Sequence, residues 1–326
     1  MESNPLQSFL EETGDCVVLD GGLATALEER GHILDTALWS ARILLDQPEA
    51  IRDVHLAYLE AGSDCITTSS YQASFEGFAS VGLSDRDAEA ALLRSSSLAL
   101  EARDAFWARA GHSSARRRPL VAASIGPYGA YLADGSEYDG RYGIGVEELE
   151  DFHRRRFRVL ATSGVDLLAC ETIPSAVEAE ALLRLLDEEP GDIWAWMSFS
   201  ARDGESLWDG SRFEDVVGMC VEHERIAAIG VNCTDPDHVV ELIGRASTVT
   251  ELPLIVYPNS GEQYDASTRS WVGEPAGDAW MSQVQAARAV GARGLGGCCR
   301  IGPPMVTQLR LRFGSGDWSP GPPHPI

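Results

Sequence analysis

The stretch SGVDLLACETIPS, residues 163–175, contains the signals of one strand and helix repeat in compact form. Gly164 is placed to end a preceding helix, and the run from Asp166 to Thr172 predicts a buried strand. Pro174 stands where the first turn of a following helix tolerates a missing N–H. The turn from helix to strand is only a few residues long, which is typical of parallel α/β folds.

The same pattern recurs along the chain, for example in AGSDCI at residues 61–66 and VGARGL at residues 290–295. Helical periodicity fills most of the intervals, as in Pro48 to Ala61 and Val146 to Thr162. The predicted strands are Cys16 to Gly22, Cys65 to Tyr71, Leu120 to Gly126, Asp166 to Thr172, Ile193 to Ser200, Ile226 to Cys233, Leu254 to Ser260 and Gly294 to Cys299. Eight such units in about 300 residues favour a closed (β/α)8 TIM barrel over an open sheet.

We expect a single α/β domain over residues 1–313, because barrels of this length are commonly one domain. The last residues, 314–326, read GSGDWSPGPPHPI and predict a disordered tail. Two segments rich in Gly, Tyr and Asp, Gly129 to Gly145 and Gly261 to Gly277, each follow a predicted strand. They are either lids over the strand ends or insertions without a role.

The composition excludes several function classes. A formal charge of −24 opposes binding to nucleic acid or to anionic membranes. All 26 basic side chains are arginine, so chemistry that needs a lysine amine, such as Schiff-base catalysis, is excluded. The acidic N-terminus lacks the features of a signal peptide, and no apolar run is long enough to span a membrane. We therefore expect a cytoplasmic protein with reduced cysteines, and no sequence feature indicates its oligomeric state.

Polar and thiol side chains at the predicted strand ends should meet at one face of the barrel. Among them, Cys233 ends the sixth strand, while Cys298 and Cys299 end the eighth. Three thiolates suit Zn²⁺, and three protein ligands leave a fourth position open, as in catalytic zinc sites. Gly230 and Gly294 precede these cysteines and would allow a close approach of the backbone. The alternative is that all three are ordinary small buried residues, as expected for Cys16, Cys65, Cys170 and Cys220.

Two acidic residues, Asp20 and Glu171, also stand at predicted strand ends. Two carboxylates at a barrel mouth could hold a substrate ammonium group, or they could act as an acid and base pair as in a glycosidase. Ser70 and Asn232 share this position and are further candidates for substrate contact.

The chain resembles the homocysteine S-methyltransferase family from about residue 16 to residue 313. The resemblance is carried by DGGLATALEERG, TSSYQASFEGF, CETIPS, VNC, YPNSGEQYD and GGCCR. It is strongest to the branch that uses S-methylmethionine or S-adenosylmethionine as methyl donor. The resemblance implies that Cys233, Cys298 and Cys299 bind zinc, and that Asp20 and Glu171 bind the amino group of homocysteine.

The implied reaction is methyl transfer from a sulfonium donor to homocysteine, which forms methionine. Aromatic faces attract such cations, and Tyr71, Phe75, Tyr128 and Tyr257 are candidates for that contact. Another small thiol or selenol, such as selenocysteine, is an alternative acceptor, and a carboxylate-based hydrolase is a further alternative. A purely structural zinc site would need a fourth protein ligand, and no Cys or His at a strand end supplies one.

Overall fold

The computed structural model describes residues 3–314 apart from 15, 33, 35–38, 111–115 and 266–269. Eight parallel strands form one sheet in the order β1-β10-β7-β6-β5-β4-β3-β2. These strands are β1 (Val17–Val18), β2 (Cys65–Thr67), β3 (Leu120–Ile125), β4 (Leu167–Ile173), β5 (Ala195–Phe199), β6 (Ile226–Asn232), β7 (Leu254–Tyr257) and β10 (Ala292–Leu295). The fold is the predicted (β/α)8 barrel in a single domain.

Helices connect the strands and cover the outside of the barrel. They are α1 (Pro5–Thr13), α2 (Leu23–Glu28), α3 (Trp39–Asp46), α4 (Pro48–Ala61), α5 (Phe75–Ser80), α6 (Asp85–Ala110), α7 (Tyr128–Leu132), α8 (Val146–Ala161), α9 (Ala176–Glu188), α10 (Phe213–Val221), α11 (Val239–Ala246), α12 (Asp278–Ala289) and α13 (Pro303–Phe313). No helix in the described ranges is long and apolar enough to cross a membrane. The predicted tail lies outside the described residues, except for Gly314 at the end of α13.

The barrel closes between β1 and β2 through a single parallel bridge from Leu19 to Cys65. Asp64 reinforces this seam, because its Oδ2 accepts a hydrogen bond of 3.0 Å from the Val18 N–H. The guanidinium of Arg310 on α13 donates to both carboxylate oxygens of Asp64, at 2.9 and 2.8 Å. The buried Asp64–Arg310 ion pair therefore supplements the few backbone hydrogen bonds where the first and second strands meet.

Most strands end earlier than the sequence predicted. The exception is β4, which ends at Ile173, one residue later than predicted, and contains Glu171. The last strand ends at Leu295, so Cys298 and Cys299 lie in the loop that follows it. The prediction for Pro174 was also wrong. Ser175 caps α9 by accepting a hydrogen bond of 3.3 Å from the Glu178 N–H, and Pro174 lies just before that cap.

The inside of the barrel is filled by alternating side chains that include Trp196 and Ile255. A Cβ at Gly230 or Gly294 would collide with Ile255. Gly230 therefore lets the neighbouring strand approach closely, and both glycines make room for the Ile255 side chain; an approach to a metal stays a prediction.

Both loop segments singled out in the sequence contain regular structure. The segment after β3 forms α7 and a 3₁₀ helix, Ser136–Tyr138. The segment after β7 contains a two-stranded antiparallel hairpin of β8 (Gln263–Asp265) and β9 (Ser270–Val272). The first of these segments reaches the barrel mouth, as the contacts of Tyr138 below demonstrate.

Candidate functional site

Three thiols converge at the carboxyl end of the barrel. The Sγ atoms of Cys233, Cys298 and Cys299 all lie within 4.8 Å of one another, and those of Cys233 and Cys299 are 3.6 Å apart. A tetrahedral zinc ion with bonds of about 2.3 Å holds its sulfur ligands about 3.8 Å apart. The cluster thus fits a tetrahedral ion, and no fourth Cys, His or acid of the described residues joins it.

Left-handed backbone conformations occur beside this cluster. Cys233 itself has φ 48°, Arg300 directly after the cysteine pair has φ 67°, and Thr172 directly after Glu171 has φ 63°. Such a conformation costs a residue other than glycine about 1–3 kcal/mol, and it persists where surrounding contacts fix it. Here the Cys233 N–H donates to the Tyr257 carbonyl at 3.2 Å, and the Cys298 N–H donates to the Pro258 carbonyl at 2.9 Å.

The thiols influence one another's ionisation. Hydrogen bonds from Cys298, Cys299 and Tyr138 hold the pKa of Cys233 well below its usual range. The same contacts with Cys233 raise the pKa of Cys298 and of Cys299, and burial adds to this. Without a cation the cluster therefore favours one thiolate, because three negative charges at this separation repel. A bound cation would allow all three to ionise.

Tyr138 is a site residue that the sequence reasoning missed. Its Oη lies 3.2 Å from the Cys233 sulfur. It belongs to the 3₁₀ helix of the segment after β3, which was recognised as a possible lid although no single residue in it was assigned.

Asn232 positions the strand ends and the cysteine Cys298. Its Oδ1 accepts hydrogen bonds from the Thr172 N–H at 2.7 Å and from the Ser198 hydroxyl at 2.8 Å. Its Nδ2 donates to the Thr172 hydroxyl at 2.7 Å and lies 3.9 Å from the Cys298 sulfur. The amide is thus committed to protein partners on both of its polar atoms.

Asp20 and Glu171 are both buried at the mouth. Oδ2 of Asp20 accepts a hydrogen bond of 2.7 Å from the Thr67 N–H. Burial raises the pKa of Asp20 to about 8, against the hydrogen bond from Thr67, and the nearby charge of Glu171 raises it further. Burial also raises the pKa of Glu171 to about 7, although hydroxyls of Ser124 and Tyr257 donate to its carboxylate, the latter at 3.1 Å.

Asp20 and Glu171 are thus two buried carboxylates whose pKa values are both raised. Each would lose its proton more readily if an ammonium group lay beside it, because an opposite charge favours the ionised form. Trp196 extends the network beneath them, since its indole N–H donates to the Tyr257 hydroxyl at 3.1 Å.

Ser70 lies one layer behind this network. Its hydroxyl donates to the Ser124 carbonyl at 2.7 Å and lies 2.6 Å from the Thr68 hydroxyl, and the side chain is completely buried. Tyr71 is half-buried near the thiols. Its pKa is raised by burial, and also by the charges of Glu137 and Cys233.

The other aromatic candidates lie in different environments. Phe75 is a core residue whose ring packs under the guanidinium of Arg155, 3.8 Å from ring centroid to carbon, so its assignment to a donor was wrong. Tyr128 packs against other rings of its own segment and of α8, including Phe152 at 4.9 Å. The Tyr257 hydroxyl donates a hydrogen bond to the Glu171 carboxylate.

The fold and the site together define a parallel (β/α)8 barrel with three convergent thiols and two buried carboxylates at its mouth. The family model described as homocysteine S-methyltransferase matches residues 17–313. The chain therefore belongs to the homocysteine S-methyltransferase family.

Individual relatives agree with this membership. The chain is 48% identical to homocysteine S-methyltransferase YbgG of Bacillus subtilis, over 94% of this chain and 96% of the relative. It is 43% identical to a selenocysteine Se-methyltransferase of Brassica oleracea, over 94% and 92% of the two chains. The crystal structure of the metallated homocysteine methyltransferase MmuM from Escherichia coli is 42% identical, with a TM-score of 0.84 over 94% of this chain and 99% of that one.

Proposed function

We propose that this protein transfers a methyl group from a sulfonium donor, S-methylmethionine or S-adenosylmethionine, to homocysteine and so forms methionine, with Zn²⁺ held by Cys233, Cys298 and Cys299. The observation that carries the proposal is the cluster of three thiols within 4.8 Å of one another beside two buried carboxylates. Family membership and the metallated relative support it.

The donor set suits zinc because three sulfur ligands leave one tetrahedral position for a substrate sulfur. When bound, zinc supplies a Lewis acid that keeps a thiol ligand deprotonated at neutral pH. The chain's own residues orient the ligands. The Tyr138 hydroxyl forms a hydrogen bond with the Cys233 sulfur, and the Asn232 amide nitrogen contacts the Cys298 sulfur.

Asp20 and Glu171 are proposed to hold the ammonium group of homocysteine. They become fully ionised as the ammonium binds, since it supplies the charge that burial otherwise withholds. Ser70 supports Ser124, whose hydroxyl in turn donates to Glu171. We assign Ser70 and Asn232 to positioning and Tyr71 to the wall of the substrate pocket.

In the transfer, the homocysteine sulfur forms a bond to the donor methyl carbon. The bond from that carbon to the donor sulfur breaks, and its electron pair remains on the donor sulfur, which leaves as a neutral thioether. No proton has to be delivered to this leaving group, so no general acid is needed. The negative mouth favours a cationic donor over an anionic one.

The second candidate acceptor is selenocysteine, which is favoured by the 43% identity to a selenocysteine Se-methyltransferase. It carries the same ammonium group and a softer, more acidic nucleophile, so the same residues would bind it. Comparison of kcat/KM for homocysteine and selenocysteine decides between the two acceptors.

The test is an assay of the purified protein with homocysteine and one donor at a time, followed by chromatographic measurement of methionine. We expect turnover with S-methylmethionine or S-adenosylmethionine, none with methyltetrahydrofolate, and about one zinc per chain by elemental analysis. Methionine formed only from betaine or the folate would contradict the donor assignment. Full activity in metal-free protein would contradict the zinc assignment. Protein without zinc and without methyl transfer from any donor would instead favour the carboxylate-based hydrolase.

A further inference from the structure

Glu137 places a third carboxylate beside the thiols. It precedes Tyr138, whose hydroxyl bonds to Cys233, in the 3₁₀ helix Ser136–Tyr138. The segment is fixed on several sides. The backbones of Gly129 and Glu137 are in direct contact, the Ser200 hydroxyl donates to the Glu137 carbonyl at 3.5 Å, and Gly140 packs against Pro174.

One carboxylate oxygen of Glu137 is left without a protein partner in the described part of the chain. Its Oε2 is buried and has no hydrogen-bond partner, and none of the ion pairs between described residues includes it. A buried acceptor without a partner costs about 1–3 kcal/mol, so such an atom calls for an explanation, and a ligand is one. Burial raises the pKa of Glu137 to about 7, and the nearby charge of Cys233 contributes in the same direction.

Trp208, whose ring contacts Tyr138, carries a second buried polar atom without a partner. The ring of Trp208, from the loop after β5, meets the ring of Tyr138 edge-on, with centroids 6.1 Å apart and planes at 75°. Trp208 Nε1 is buried and lacks an acceptor among the described residues. The protein thus leaves unused one buried acceptor on Glu137, next to Tyr138 in the chain, and one buried donor on Trp208, whose ring contacts Tyr138.

The charges at the mouth separate into two sets. Asp20 and Glu171 are the two acids proposed to hold the single ammonium group of the acceptor. Glu137 is a third acidic group, close to the sulfurs where the methyl group must arrive. Aromatic faces with a carboxylate nearby are the arrangement that recognises quaternary ammonium and similar cations.

We infer that Glu137, together with the rings of Tyr138 and Trp208, forms the subsite that binds the sulfonium centre of the methyl donor. This inference rests on the proposed function and adds the donor's position to it. The unused indole N–H of Trp208 suits the carboxylate that an amino-acid sulfonium carries.

The test measures binding rather than turnover, so it stands apart from the methyl-transfer assay. Zinc-loaded full-length protein is saturated with homoserine, the oxygen analogue of homocysteine, to fill the acceptor site. Calorimetry then gives the Kd of S-methylmethionine and of homoleucine, in which a CH group replaces the sulfonium. The ratio of the two Kd values reports recognition of the charge alone.

We expect the wild-type protein to prefer the sulfonium, and Glu137→Gln to reduce that preference about tenfold or more while homoleucine binds as before, as is usual for a lost charged contact. Trp208→Leu should reduce the preference severalfold. The matched control is Asp139→Asn, which removes the same charge from an exposed residue of the same segment that pairs with Arg141. It should leave the ratio unchanged.

Three results would overturn the inference. One is an unchanged ratio in Glu137→Gln, and another is an equal loss of affinity for both ligands, which would indicate a purely structural role. The third uses dimethylsulfonioacetate, a sulfonium without an ammonium group. If Glu137→Gln binds it normally but binds S-methylmethionine poorly, the carboxylate recognises the ammonium instead. If S-methylmethionine binds as expected but no methyl transfer occurs, the proposed function is rejected and the donor subsite is not.

Discussion

Replacing Glu171 with glutamine tests the proposed ammonium site most directly. The change removes one negative charge and keeps the size of the side chain. Its neighbours, the hydroxyls of Ser124 and Tyr257, can rotate to donate to or accept from the new amide. The fold and the thiol cluster should therefore survive the substitution.

The expected loss follows from the contacts of the carboxylate. A hydrogen bond to a charged group is worth about 1.5–3 kcal/mol, which is a factor of about 10–150 in Kd. The partner acid Asp20 remains, so binding of homocysteine should weaken rather than vanish. Zinc should be retained because the hydrogen bonds of Glu171 go to Ser124 and Tyr257 and not to a cysteine.

The assay is calorimetric titration of the zinc-loaded protein with homocysteine, alongside elemental analysis of zinc. Glu180→Gln on α9 is the matched control, since Glu180 pairs with Arg184 away from the mouth. In a double-mutant cycle with Asp20→Asn, the two losses should be non-additive, because both acids bind one ammonium group. An unchanged Kd, or a loss of zinc as large as the loss of homocysteine binding, would refute this role for Glu171.

Three further predictions concern pH and the metal. Methionine has the ammonium group of homocysteine but no ionisable thiol. Its binding should strengthen as pH rises from 6 to 9, because Glu171 and Asp20 ionise with pKa values of about 7 and about 8. Calorimetry at several pH values measures this, and an affinity that does not change with pH would contradict the prediction. Cys299→Ser should lose most of its zinc and its methyl transfer yet melt as a folded protein; full metal content by elemental analysis would remove Cys299 from the ligand set. Buried His55 has no hydrogen-bond partner among the described residues, and its pKa is lowered by burial to about 4. The unfolded chain binds a proton at His55 at a higher pH than the folded protein does. The free energy of unfolding should therefore fall by about 2 kcal/mol between pH 7 and pH 5. Urea unfolding of His55→Leu should show a smaller fall.

The barrel and its cysteines were predictable because they depend on topology more than on detailed packing. Once the strands were recognised as parallel, Cys233 and the pair Cys298 and Cys299 had to meet at one face. Most strand ends were predicted too late and that of β4 one residue too early, yet this did not move the thiols to the wrong face. The same reasoning placed Asp20 and Glu171 at the mouth, where both are buried, and their role in binding stays a prediction.

Residues whose role depends on three-dimensional contacts were harder to predict. Tyr138 and Trp208 come from loops, which have no periodicity and take their position from contacts such as that of Gly140 with Pro174. Phe75 was misassigned because its place beside the substrate motif does not reveal that the helix α5 turns its ring inward.

The left-handed residues Thr172, Cys233 and Arg300 have a consequence for protein engineering. Each of them turns the backbone beside a residue at the mouth. The direction of the cysteine side chains therefore depends on these turns as well as on the residue type. Transplanting only the thiols onto another barrel would reproduce the ligand atoms without their directions. A working graft must carry the three bent segments as units, together with the neighbours that hold them in shape.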